Sequence, residues 1–307
     1  MEDVKLQRML LEAAVDQGIR EIERDLHRSV RRLVDLGKRF SRGRFQSQIF
    51  TLFQGLLANE NSPYYELIRR LVREVDHETL KTVGVNVGFE SWTNGAKRIR
   101  ETEKARGVSV PWTRIFHMAP GDADGSGLQA YERSVEADMA LGIHTFLLQQ
   151  EGGMGENAAS TAWMRRYPQC VFVYYLRDAR MTEEGVEAFA QTHNAVLSIP
   201  AQSADAAALA RRLAAHRCLY GAHWRYARAE DALDEEALRR LLELRCPLAF
   251  FIAEDCCRQS DREAVAHFAL EARTQQRYPM ILMDLYEDTR YVNRIISGPN
   301  CPDDIDI

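Results

Sequence analysis

Seven short apolar runs, rich in β-branched and aromatic residues, recur between residues 112 and 285. Their spacing constrains the fold more than any other feature of the chain. The runs cover residues 112–118, 145–149, 170–176, 195–199, 218–222, 247–253 and 280–285. Between centres at Ile115, Phe146, Phe172, Leu197, Tyr220, Phe250 and Leu282 the intervals are 31, 26, 25, 23, 30 and 32 residues. Each interval holds a strand, a helix and two short loops, the length of a βα unit. The runs are apolar throughout rather than alternating, so both faces of each strand are expected to be covered. The stretches between them, such as 204–214 and 235–243, carry helical periodicity. This alternation predicts a parallel sheet, closed or partly closed as a barrel. Six or seven units fall short of eight. The expected fold is therefore α/β, a partial (β/α)6-type TIM barrel with an N-terminal helical extension.

The division expected is 1–107 for the helical region and 108–307 for the barrel. Leu6, Met9, Leu10, Ala13, Ala14 and Gln17 recur at helical spacing, and Ile19, Ile22, Leu26, Val30, Leu33 and Leu36 continue the stripe up to Gly37. A basic turn, 38–44, precedes a third helix over about 45–57. Asn61-Ser62-Pro63 then supplies a cap for a fourth, on which Tyr65, Ile68, Leu71, Val72 and Val75 share a face. This module reads as a lid or an interface. The segment 83–89 fits a helix running into a loop, with a strand as the alternative, and 96–105 is helical.

Composition excludes several functions. Lys and Arg total 40 against 45 Asp and Glu, a formal net charge of −5, which argues against a nucleic-acid coat or a polybasic membrane anchor. The uncharged run 45–59 spans 15 residues with three glutamines, too short and polar to cross a bilayer. No charged-then-apolar leader opens the chain, so a cytoplasmic location is expected. Cys170, Cys218, Cys246, Cys256, Cys257 and Cys301 show no CxxC or CxxxCxxC spacing.

Several stretches resemble the radical S-adenosylmethionine enzymes, particularly the branch with a helical leader and a C-terminal auxiliary-cluster extension. Val108-Ser109-Val110-Pro111-Trp112 resembles the lead-in to that family's first strand. The segment 141–153, ending Gln149-Gln150-Glu151-Gly152-Gly153, is similar to its second strand and glycine-rich turn. Residues 167–176 are similar to its third strand, with Arg177-Asp178 where the branch has Thr-Asn-Gly. Met283-Asp284-Leu285-Tyr286-Glu287-Asp288, Tyr291-Val292-Asn293 and Ile296-Ser297-Gly298 resemble its closing strand and following loop. The likeness runs from Val108 to Gly298, mostly through order and spacing.

The family's defining motif is missing. Active members place CxxxCxxC after the first strand to hold a four-iron cluster. Here that loop, His117 through Gly127, contains no cysteine, and Asp122 and Asp124 cannot replace three thiolates. The glycine-rich turn reads Gly152-Gly153-Met154-Gly155, and Ser198-Ile199-Pro200 carries proline where the branch usually has glutamate. The chain ends at Ile307, where the branch would continue into its auxiliary domain, and Cys301 alone cannot hold a cluster. A cluster-free derivative is expected, with radical chemistry lost.

Parallel barrels place working groups at the C-terminal ends of strands. The ligand-binding candidates there are His117, Glu151, Gly152, Gly153, Asp178, His223, Arg225, Glu254 and Asp255. His117 and His223 with Glu254, Asp255 or Cys256 form a conceivable metal set, but no spacing motif supports one and no metal is expected. Glu254-Asp255-Cys256-Cys257 reads as ordinary loop, with the carboxylates better placed than the thiols to bind a cationic or hydroxylated ligand. The loop 121–127 reads as a replacement for the cluster loop, with only superficial likeness to a calcium loop. Trp224 and Tyr226, beside His223 and Arg225, are pocket-lining candidates, although alternation sends only half of such a segment inward. No cofactor is implied, no 4Fe-4S cluster is expected, and S-adenosylmethionine binding without a cluster stays open. The expected role is a binding, scaffold or regulatory protein with a protein or small-molecule partner. The alternative is an enzyme reusing the rim for metal-assisted or acid–base chemistry. The N-terminal helices offer a homodimer surface.

Overall fold

The computed structural model describes residues 2–40, 51, 53–118, 128–150 and 158–297. Seven strands form one parallel sheet in the order β1 to β7: Thr113–Met118, Thr145–Gln150, Val171–Tyr175, Ala195–Pro200, Tyr220–Tyr226, Leu248–Ala253 and Ile281–Asp284. Every neighbouring pair is parallel and consecutive in sequence, so the sheet is an open half-barrel of βα units with β1 and β7 at its edges. The seven apolar runs of the sequence are these seven strands. β2 and β4 are buried along their whole length, as expected of strands covered on both faces.

Helices that precede the sheet include α1 (Glu2–Ile22), α2 (Leu26–Phe40), α3 (Pro63–Glu74), α4 (His77–Val85) and α5 (Ala96–Arg106). The apolar stripe expected to run to Gly37 is two helices. Asp25 caps the second through Arg28 N–H (3.2 Å), and the two fold back so closely that a Cβ on Gly18 would meet Leu33 Cδ2 at 2.2 Å. α2 also runs past Gly37, through the start of the basic turn. The rest of that turn, 41–44, and residues 45–50 of the expected third helix lie outside the described residues. Ser62 caps α3 by accepting from Tyr64 N–H at 3.1 Å, with Pro63 at its first position. Ile22, Leu26, Val30, Leu57 and Tyr65 form this region's own small core.

Segment 83–89 is neither strand nor loop: α4 passes into a π-helix, Asn86–Gly95, and then into α5. The wide turn lets buried Asn86 Nδ2 donate to the carbonyls of Pro168 (2.8 Å) and Cys170 (3.0 Å), and Ser91 hydrogen-bond Thr145 at 2.8 Å. Ala96 and Ile99 of α5 belong to the main core, so this end of the helical region is built onto the barrel. Gly95 lies against Gly142, whose φ of +108° only glycine adopts readily.

The outer face of the sheet is covered by α6 (Leu128–Leu141), α7 (Ala158–Arg165), α8 (Glu183–Ala190), α9 (Ala206–Ala215), α10 (Ala229–Leu233), α11 (Glu235–Glu243) and α12 (Gln259–Thr274). Outward residues such as Phe146, Phe172, Leu197, Ala222 and Phe251 bury there in the main core. The last helix, α13 (Leu285–Ser297), follows β7 and reaches the opposite edge of the sheet. Trp112, just before β1, donates its backbone N–H to Asn293 Oδ1 (2.9 Å) and its indole N–H to the Thr289 carbonyl (3.2 Å). α13 thus links the two edges where an eighth strand would stand. Among the described residues no helix is long and apolar enough to cross a membrane.

Candidate functional site on the concave face of the half-barrel

Strand alternation divides each strand between the helix-facing side and the concave side. The parallel register sets His117, Gln149, Tyr175, Ser198 and Gly221 side by side on one concave rung, through the pairs His117–Gln149, Gln149–Tyr175, Tyr175–Ser198 and Ser198–Gly221. The rung above it, toward the strand C-termini, carries Pro200, His223, Phe250 and Met283. Apolar Leu147, Tyr175, Phe250, Ile252 and Leu285 pack together as a separate cluster on this face. The concave side is therefore an apolar surface interrupted by a few polar groups, the usual composition of a small-molecule site.

Three of those polar groups keep a buried atom without a hydrogen-bond partner among the described residues. His223 is fully buried on β5, and its Nδ1 lies 3.0 Å from Ser198 Oγ. Among the described residues its Nε2 has no hydrogen-bond partner, and neither has buried Tyr175 Oη or Gln149 Nε2. The Tyr175 ring meets His223 edge-on at 5.6 Å between centroids and Phe250 at 5.4 Å. Burial, reinforced by the Arg225 charge and opposed by the Leu176 backbone, depresses His223 to about 3, so the imidazole is neutral. Burial, with a lesser contribution from Tyr286, holds the Tyr175 hydroxyl far above its usual range. Both groups keep one protonation state around neutral pH. They can donate or accept hydrogen bonds but are poorly tuned to exchange protons there.

The residues singled out from sequence are dispersed. His117 and His223 share the concave face but stand on β1 and β5, with His117 on the exposed side. His117 accepts a hydrogen bond from Tyr131 through its carbonyl (2.8 Å). Arg225 is half-buried beyond His223, and its backbone is clamped by both amide atoms of Gln202. Asp178, after β3, accepts from the Arg180 guanidinium at 3.0 Å and its backbone N–H at 2.9 Å, which lowers its pKa and closes a local turn. Glu254 and Asp255 are exposed on the loop after β6, where Arg262 binds their backbone carbonyls. Glu151, Gly152, Gly153 and the loop 119–127 lie outside the described residues, as does Cys301.

Trp224 and Tyr226, expected to line a pocket beside His223, instead face the helices. Alternation turns them away from the concave side. Arg240 stacks over Trp224 at 6.0 Å, and Tyr226 donates to buried Asp284 at 3.1 Å. Asp284 also caps α13 through Glu287 N–H (2.9 Å), and burial raises its carboxyl to about 6. Gln149, Tyr175 and Ser198 were missed by sequence reasoning. The signal available was a polar side chain two positions after an inward apolar one, as in Leu147 to Gln149 and Val173 to Tyr175.

The donors present do not suit an iron–sulfur cluster. Cys170, Cys218 and Cys246 are buried singly, and Cys256 and Cys257 are neighbours on one loop, so no three thiolates meet among the described residues. Nor do three or more His, Cys, Asp or Glu side chains gather there as a metal site.

No protein-family model and no curated protein matches the sequence. Solved structures with a similar fold include Streptococcus suis SuiB bound to S-adenosylmethionine, at 12% identity over 64% of this chain and 52% of that one, with a TM-score of 0.45. SuiB bound to its precursor peptide SuiA gives 11% identity, 64% and 54% coverage and a TM-score of 0.45. An enolase-superfamily member from Listeria innocua gives 11% identity, 92% and 66% coverage and a TM-score of 0.37. The chain spans about half the length of SuiB. At these values the likenesses assign neither a ligand nor a reaction.

Proposed function

We propose that this protein is a cluster-free relative of the radical S-adenosylmethionine enzymes that binds a small molecule on the concave face of its half-barrel, acting as a binding or regulatory protein. One observation carries the reading. Gln149 Nε2, Tyr175 Oη and His223 Nε2 are buried on two adjacent rungs of one face, each without a partner among the described residues. An unsatisfied buried polar group costs about 1–3 kcal/mol, and such groups are rare in native structures unless they serve a ligand or a bound water.

The chemistry of the three atoms narrows the ligand. Tyr175 and Gln149 donate, and neutral His223 offers one more donor or acceptor according to its tautomer. Phe250, Ile252 and Leu147 supply apolar walls. A ring-bearing molecule with hydroxyl groups and ring nitrogens fits this set. The adenosine half of S-adenosylmethionine has those groups, and the resemblance of residues 108–298 to its enzymes makes that compound the first ligand to test. In this reading residues 1–107 remain the helical region and 108–307 the ligand-binding barrel.

The test is calorimetric titration of S-adenosylmethionine and of adenosine into the wild type and into Tyr175→Phe and Gln149→Leu. The reading expects saturable binding by the wild type and a weakening of about fivefold or more in each variant. It is overturned if neither compound binds at millimolar concentration, or if both variants bind as the wild type does.

A further inference from the structure

The helical region holds a second, differently charged cavity. The turn between α1 and α2 and one face of α3 enclose about 120 Å³ lined by Arg24, Arg69 and Arg73 with Glu23, and by apolar Ile22, Leu26 and Val72. Arg69, Val72 and Arg73 stand three and four residues apart on α3, so one helical face presents two of its three arginines to the turn. At about 30 Å³ per water the space equals roughly four waters, enough for one tetrahedral oxyanion group and the atoms joined to it.

What distinguishes the cavity is the convergence of three arginines on one lining with a single acidic residue. Elsewhere in the same helices Arg8 pairs with Glu90 at 2.8 Å, Arg20 with Asp16 at 2.9 Å, Arg31 with Glu60 at 3.0 Å and Arg32 with Glu21 at 3.2 Å, while Arg28 and Arg70 form no ion pair among the described residues. At the cavity, Arg69 has only Glu66 of its own helix, at 2.7 Å, while Arg24 and Arg73 have no ion pair among the described residues. Glu23 is the one acidic residue of the lining, so the lining keeps a positive excess. Guanidinium groups form paired N–H forks that match phosphate oxygens, and charge-assisted hydrogen bonds of this kind are among the stronger polar contacts.

From this convergence we infer that the α1–α2 turn and α3 form a binding site for a soluble phosphate-bearing small molecule, held by Arg24, Arg69 and Arg73. The site is separate from the concave face of the barrel and does not depend on what binds there.

The probe is inorganic pyrophosphate, titrated calorimetrically into the full chain and into Arg24→Gln/Arg73→Gln. Lys104→Gln/Arg106→Gln, which removes the same charge from exposed positions on α5, serves as control. The wild type should bind saturably, the arginine variant about tenfold or more weakly, and the control as the wild type. Added salt should weaken the wild-type interaction. The inference is overturned by no saturation up to about 10 mM pyrophosphate, by an unchanged arginine variant, or by an equal loss in the control. Circular dichroism confirms that each variant is folded.

Discussion

Replacing Tyr175 by phenylalanine removes one oxygen and leaves the ring in place, which makes it the cleanest perturbation of the concave face. The hydroxyl is buried without a partner among the described residues, and the ring packs against His223 and Phe250 at 5.6 and 5.4 Å between centroids. In ordinary buried tyrosines the hydroxyl is hydrogen-bonded and its loss destabilises. Here the native state carries a desolvated donor while the unfolded chain hydrates it, so deletion should relieve about 1–3 kcal/mol. For a chain of this size about 1 kcal/mol shifts the midpoint by about 2 °C, so Tyr175→Phe should melt roughly 2–6 °C above the ligand-free wild type. The assay is differential scanning calorimetry on both proteins, with and without S-adenosylmethionine. The ligand should raise the wild-type midpoint more than the variant's, since it supplies the missing acceptor only to the wild type. A variant that melts below the ligand-free wild type would refute the reasoning, because the hydroxyl would then already be satisfied.

Three further outcomes follow from the same structure. His223, held neutral at about 3 against an ordinary 6.5, contributes stability that is intact above pH 6.5 and lost as the pH falls toward 3, up to about 5 kcal/mol. Urea midpoints between pH 7 and 4 should fall more steeply in the wild type than in His223→Gln. Asp284 has the opposite sign: its carboxyl is raised to about 6 from 3.8, so the native state favours the protonated form and stability falls as pH rises from about 4 to 6, by about 3 kcal/mol. Asp284→Asn keeps a cap for α13 and should be the more stable protein at pH 7, with the gain vanishing near pH 4 in chemical denaturation. Gly95→Ala would place a methyl group 2.3 Å from the Gly142 carbonyl and 2.5 Å from that of Glu90, and should cost about 2–4 kcal/mol by thermal melting followed by circular dichroism.

The strands were legible because most are apolar on both faces, so each announced itself as an uninterrupted run. The least accurate run shows the limit. Apolarity placed β5 over 218–222, whereas the strand is Tyr220–Tyr226, because His223 and Arg225 interrupt the run at positions where the strand continues. Those interruptions lie on the site, so the feature that blurred the strand also carries the chemistry. In the helical region the apolar stripe continues across the α1–α2 turn, and periodicity alone cannot show that the chain reverses there. The segment 83–89 alternates Val83, Val85, Val87 and Phe89 with smaller or polar residues, a pattern compatible with a strand. The contacts of Asn86 and Ser91 with the barrel accompany the π-helix it adopts instead. Missing hydrogen-bond partners are three-dimensional facts, so Gln149 and Tyr175 could be found only once the register was known.

The central claim is that the concave face is completed by a ligand satisfying Gln149, Tyr175 and His223. A crystal structure of the protein grown with saturating S-adenosylmethionine tests it most directly. Density for the adenosine moiety is expected within hydrogen-bonding distance of Tyr175 Oη and His223 Nε2. Density confined to another surface, or a concave face whose three polar atoms are all satisfied by protein groups alone, would contradict it.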